Sequence, residues 1–259
     1  MIHRSFNVLG NIAVVNFSDK TKISDKKKFA EQLLKEHSNI KTILEKSRKF
    51  SGRLRKMKTR YLAGEKNKEV LYKENNCVFR FNLDTTYFSP RLSNERKEVA
   101  SKIKKNEKVL VMFAGVGPYS ICIAKNSKAK VYSNEINREA NKYAELNIKL
   151  NNVGDKVELS SGDIKKVAKK LQKIKFNVIV MPRPRLKESF LKEAFMLSKK
   201  NTRIFYYDFC KIEDKNKIIE KIKNEAKKSK KKIKILRIKN AGEIAPYKIR
   251  IRVDFVVAN

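Results

Sequence analysis

Lys108-Val109-Leu110-Val111-Met112-Phe113-Ala114-Gly115-Val116-Gly117-Pro118-Tyr119-Ser120 is the stretch that decides how the chain is read. Residues 108–113 are short and apolar, as a strand buried on both faces of a parallel sheet requires. The run ends at two glycines spaced two apart, and residues 119–125 then take a helical pattern. Further units follow at the same spacing: 130–133 then 138–150, 156–159 then 164–172, 177–181 then 187–198, and 202–207 then 212–228. Strands alternating with helices of this length predict an α/β fold with a doubly wound, mainly parallel, Rossmann-like sheet. Residues 232–238 and 247–257 close it as a terminal antiparallel hairpin. In the second of these, Ile249, Ile251, Val253 and Phe255 alternate with Lys248, Arg250, Arg252 and Asp254. Period two predicts one buried face and one face in water.

Upstream of residue 84 the texture differs, and residues 1–84 read as a small, basic α/β domain preceding a second domain over 85–259. Residues 6–15 read as strand, with Gly10 marking a turn or bulge. Phe29, Leu33, Leu34, Ile40, Ile43 and Leu44 predict a helix within 25–47, and strands are expected around 59–63 and 77–81.

Of 259 residues, 63 are Lys or Arg and 27 are Asp or Glu, a formal net charge of +36. A hydrophobic fraction of 41% with 14 Phe and 9 Tyr supplies a core, which excludes wholesale disorder. The charge points to a polyanionic partner, because each cation that neutralises a phosphate releases a condensed counterion. The competing reading is a lysine-rich surface that is merely solvated. Three cysteines and two histidines are scattered with no Cys-x-x-Cys or His-x-x-x-His pair, so neither a metal site nor a disulfide framework is expected. No apolar run approaches the roughly 20 residues of a membrane span, and no secretory leader is evident, which predicts a cytoplasmic protein without a membrane partner.

In an open parallel sheet, ligands bind beyond the carboxyl ends of the strands. Gly115 and Gly117 stand at the first such end. Glu135, eighteen residues beyond Gly117, ends the next strand, where a carboxylate can accept both hydroxyls of a ribose; Asp163 ends the third. A dinucleotide fingerprint wants a third glycine where Ser120 stands, so a phosphate-free nucleoside, S-adenosyl-L-methionine, is favoured over a nicotinamide cofactor. Asp163 also reads as the cap of a helix beginning at Ile164.

Three segments carry a resemblance: residues 111–120 quoted above, Tyr87-Phe88-Ser89-Pro90-Arg91-Leu92-Ser93-Asn94-Glu95-Arg96, and Asn147-Ile148-Lys149-Leu150-Asn151. With Gly52-Arg53-Leu54-Arg55, Ala63-Gly64-Glu65, Ala245-Pro246-Tyr247 and Val253-Asp254-Phe255, the chain resembles the archaeal and eukaryotic tRNA (guanine-37-N1)-methyltransferase family. The resemblance implies a class I methyltransferase sheet, S-adenosyl-L-methionine as methyl donor, and the anticodon stem-loop of tRNA, with a purine at position 37, as partner; a monomer is the default expectation. Glu95 matches the family's general base, and Arg55 the arginine at the guanine O6. Tyr87, Arg91, Phe113, Ala114, Gly115, Gly117, Glu135, Ile136, Asp163, Ile164 and Met181 match the cofactor site.

The sequence departs from the family pattern in places. Val111 and Glu135 stand where Asp is usual, and Pro182-Arg183-Pro184 replaces the Asn-Leu-Pro of the target pocket, with Arg183 expected to contact guanine or phosphate. The longer members' extra N-terminal module has no counterpart. Related activities at the same nucleotide are methylation of the tricyclic wyosine intermediate and, ranked well below because its members lack the Ser-Pro-Arg-Leu element, aminocarboxypropyl transfer. From the residues alone, Glu95 also reads as a solvated helix residue, Arg55 as a phosphate contact, Tyr87 and Phe88 as core, and the chain as a non-catalytic RNA-binding protein.

Overall fold

A computed structural model describes residues 5–51 and 56–259, in two compact units, residues 1–90 and 91–259. In the first, β1 (Ser5–Leu9) and β2 (Ile12–Asn16) form a hairpin turned at Gly10. Gly10 has φ +56°, and a Cβ there would lie 1.9 Å from the Leu71 carbonyl oxygen, so only glycine fits. Helix α1 (Ile23–Glu36) crosses over to β3 (Thr42–Ser51), parallel to β2, and β4 (Lys56–Gly64) pairs antiparallel with β3. The helix expected within 25–47 therefore stops at Glu36. Ile43 and Leu44 are both fully buried; adjacent buried residues suit an interior strand covered on both faces, and their spacing imitates a helical stripe.

Hairpin β5 (Glu69–Glu74) and β6 (Cys77–Asn82) turns at Asn75 and Asn76, both at positive φ. Residues 85–90, grouped with the second domain by sequence texture, fall in the first unit: Phe88 packs on Phe79, Phe81 and Tyr72, with ring centroids 4.6–5.7 Å apart.

The second unit begins with α2 (Ser93–Ser101), followed by β7 (Lys108–Met112), α3 (Pro118–Asn126), β8 (Lys130–Glu135), α4 (Arg138–Leu150), β9 (Val157–Ser161), α5 (Ile164–Lys170), β10 (Phe176–Met181), α6 (Leu191–Leu197), β11 (Ser198–Lys211), α7 (Lys215–Lys228), β12 (Ile233–Ala245) and β13 (Lys248–Val257). Its seven strands run in the order β12-β13-β11-β10-β7-β8-β9. Strands β7 to β11 pair in parallel, and β13 inserts antiparallel between β11 and β12. This is the doubly wound sheet with a terminal antiparallel hairpin. One face packs Ile249, Ile251, Val253 and Phe255 with apolar residues of α5, α6 and α7 in a single core.

The opposite face of β13 corrects the expectation of a water-facing row. Arg252 is 0% exposed and Asp254 5%. Carboxylates of α2 cover Arg252, and Arg252 and Lys102 hold Asp254.

Candidate functional site

The loop after β7 is set by its backbone. Phe113, Gly115 and Gly117 have φ of +58°, +58° and +88°, a conformation cheap only for glycine. Gly117 caps α3, and Pro118 opens the helix where no N–H is needed. The Ala114 N–H donates to the Asn134 carbonyl (2.8 Å), and the buried Asn147 amide donates to the Val116 carbonyl (3.0 Å). Asn147 thus holds the glycine loop from α4, which explains part of the 147–151 motif. Ser120 is turned inward, 2.8 Å from the Ser133 hydroxyl. At Gly117 a Cβ would also meet Ile121 Cδ1 at 3.1 Å. Gly117→Ala is therefore expected to cost about 1–2 kcal/mol, read as a lowered urea midpoint; an unchanged midpoint would show that the loop relaxes.

Across this loop stands Glu135. Its Oε2 accepts the Gly115 N–H (2.8 Å), and its Oε1 accepts those of Ile136 (2.8 Å) and Asn137 (2.7 Å). Burial raises its pKa above the ordinary carboxylate value, against the pull of those three backbone bonds. Asp163 caps α5 by accepting the Lys165 N–H (3.0 Å), and Ile164 and Met181 are buried in the core behind the crevice. The Asn134 amide ties the ends of β8 and β9 together through the carbonyls of Ser160 (2.7 Å) and Gly162 (3.0 Å).

Strand register sets Met112 opposite Asn134 and Glu135 opposite Ser161, so Phe113, Ala114, Gly115, Glu135, Ile136 and Asp163 gather beyond the carboxyl ends of three adjacent strands. A crevice whose side-chain acceptors are carboxylates suits a nucleoside's hydroxyl and amino donors and disfavours a pyrophosphate. The residues present fit S-adenosylmethionine on that ground.

A second feature lies along the same strand ends. Met181 pairs with Tyr206, and one rung further Tyr207 pairs with Arg252. Over that rung α2 lays Glu95, 5% exposed. Glu95 Oε2 accepts from Arg252 Nη1 (2.6 Å) and from the Tyr207 hydroxyl (3.0 Å), while Oε1 is 2.5 Å from Lys239 Nζ. Burial pushes the Tyr207 phenol well above its ordinary pKa, so it remains a donor. Arg252 also holds Glu98 Oε1 (2.5 Å) and, through Nε, Asp254 Oδ1 (2.7 Å). The reading of Glu95 as a solvated helix residue is thereby excluded. Arg252, Lys239 and Tyr207 are residues that sequence reasoning missed. The alternation in β13 marks Arg252 as water-facing, and nothing local announces what covers it.

Arg183 is not presented to a substrate. It is 2% exposed, its Nη1 pairs with Asp208, and its Nη2 donates to the carbonyls of Leu186 (2.5 Å) and Glu188 (2.7 Å). Its guanidinium fastens the segment after β10, including the half-buried Pro182 and Pro184, to β11, so the expected contact with guanine or phosphate is not supported by this geometry. Tyr87 is half-buried in the first unit and Arg91 is exposed on a 3-10 turn, Pro90–Leu92. Arg55 lies outside the described residues. Among the described residues no helix is long and apolar enough to cross a membrane, and no group of three His, Cys, Asp or Glu side chains could hold a metal.

Residues 70–236 match the model of the TRM5/TYW2 methyltransferase domain, and residues 1–67 that of the TYW2 N-terminal domain. A relative in Nanoarchaeum equitans, named tRNA (guanine(37)-N(1))/4-demethylwyosine(37)-methyltransferase Taw22, is 33% identical over 96% of this chain and 98% of its own. The crystal structure of Trm5b from Pyrococcus abyssi superposes with a TM-score of 0.86 at 32% identity, covering 98% of this chain and 75% of that one. A structure described as the complex of aTrm5 and tRNALeu superposes at 0.85 and 28% identity, covering 100% and 73%.

Proposed function

This chain belongs to the TRM5/TYW2 methyltransferase family, and from that premise we propose that it transfers a methyl group from S-adenosylmethionine to N1 of guanosine 37 in tRNA. Methylation of 4-demethylwyosine at the same nucleotide is part of the proposal, because the relative that shares nearly the whole length is named for both acceptors. The observation that carries the reading is the buried Glu95 carboxylate at the same strand ends as the Glu135 crevice.

S-adenosylmethionine, when bound, supplies a methyl carbon made electrophilic by its sulfonium. In the proposal Glu135 accepts the ribose hydroxyls and Asp163 the adenine amino group, with Phe113, Ala114, Gly115, Gly117, Ile136, Ile164 and Met181 shaping the crevice. Guanine N1 is protonated at neutral pH and therefore a poor nucleophile. Glu95 takes that proton; the N–H electron pair remains on N1 and forms the new N–CH3 bond as the C–S bond breaks. Charge that spreads to O6 is met by a cation, a role assigned to Arg55. A base in a loop is splayed into a pocket at limited unstacking cost, and the charge of +36 favours holding the RNA. The protein acts, in this reading, as a cytoplasmic monomer.

The test is incubation with donor and unmodified tRNA transcripts carrying guanosine or adenosine at position 37, followed by nucleoside mass spectrometry. The expected product is 1-methylguanosine from the first transcript and none from the second. An aminocarboxypropyl adduct would favour the other family activity, for which the TYW2-type N-terminal match speaks. RNA binding with no product would indicate a non-catalytic RNA-binding protein.

A further inference from the structure

We propose that Arg252 is the positioning residue of the reaction: its guanidinium fixes one oxygen of Glu95 so that the other, guarded by Lys239, is the oxygen that meets the nucleobase. The inference rests on Glu95 being the base. Arg252 reaches three carboxylates from one fully buried position: Glu95 at 2.6 Å, Glu98 at 2.5 Å and Asp254 at 2.7 Å. Glu95 and Glu98 lie three apart on α2, hence on one face, and a single planar fork ties both to the middle of β13. Tyr207 adds a second donor to the same Oε2.

Oε1 is held differently. Its partner is Lys239 on the edge strand β12, whose side chain is 28% exposed and which also contacts Glu98. An ammonium on a flexible stem can stay with Glu98 while it leaves Glu95; a guanidinium engaged with three carboxylates cannot leave one alone. An arriving N1–H therefore displaces the lysine and finds Oε1 already oriented. Such a buried charge network is weak evidence for stability, which leaves geometry as the property it confers.

The test compares Arg252→Met and Arg252→Lys, alone and combined with Glu95→Gln, in single-turnover methylation of tRNA. Arg252→Met is expected to slow transfer on the order of 100-fold, with donor affinity changed less than about threefold. In the Glu95→Gln background it should add less than about threefold, since the carboxylate it positions is gone. Arg252→Lys, which keeps the charge but not the fork, should recover part of the rate, and it stands in if the methionine variant fails to fold.

Additive losses in the double variant, or no recovery of rate in Arg252→Lys, would overturn the proposal and leave Arg252 a structural residue. A wild-type rate for Glu95→Gln alone would instead remove the base itself, and the positioning role with it.

Discussion

Glu95→Gln is expected to slow methyl transfer by about 10²–10⁴-fold, the range over which a positioned proton acceptor contributes. The amide keeps the size of the carboxylate, so binding of donor and tRNA should change little. The fold should survive as well: Arg252 keeps Glu98 and Asp254, and Lys239 keeps Glu98, so neither cation is left buried and alone. Single-turnover rates at saturating enzyme, alongside donor affinity by calorimetry, separate the two effects. An unchanged rate would take Glu95 out of the mechanism, whereas a loss confined to affinity would make it part of a binding surface.

Asp208→Asn is expected to be the most destabilising of the conservative changes considered. Asp208 accepts from Arg183, from Lys221 (2.9 Å), from the Tyr206 hydroxyl (2.9 Å) and from the Phe209 N–H (2.8 Å), and it is 4% exposed. The Arg183 Nε is buried with no partner already. Neutralising Asp208 leaves a fully enclosed guanidinium without its counter-charge, a defect that typically costs about 3–5 kcal/mol.

The same group gives a pH signature. Burial raises the Asp208 pKa, but the charges of Arg183 and Lys221 and their hydrogen bonds outweigh it, so the folded value lies below the ordinary one. A carboxylate depressed in the folded state contributes stability above its unfolded pKa, about 3.9, and loses it as pH falls through the lower folded value. The urea midpoint of the wild type should therefore drop as pH falls below about 4, and that of Asp208→Asn should drop less over the same interval. A variant within about 0.5 kcal/mol of wild type at neutral pH would mean that Arg183 finds another partner, because that is the scale of an ordinary surface change.

The two arginines show where local reading stops. Arg183 stands between two prolines at a strand end, and a cation at such a place reads as available to a substrate. Whether it is available depends on Asp208, a residue of the neighbouring strand. Arg252 sits on the polar side of a strictly alternating strand, and alternation reports two faces without saying what lies on either. Glu45 repeats the pattern in the first unit, held by Lys26 of α1 at 2.7 Å and by Arg60 of β4 at 2.6 Å. Residues 40–44 gave the opposite difficulty: Ile40, Ile43 and Leu44 satisfy a helical spacing, and pairing of β3 with β2 and β4 overrides it.

By itself the sequence determined the alternation of strands and helices in the second unit, the glycine-bearing loop after β7, the carboxylates at the next two strand ends and the excess of positive charge. Each of these is written in residues close together in the chain: periodicity, a left-handed backbone position, a helix cap. Tertiary structure alone decided which charges are enclosed and with whom. Arg252 and Glu95 are 157 residues apart, and the energy that pairs them exists only after the last strand has inserted beneath α2 and excluded the water that would otherwise solvate both.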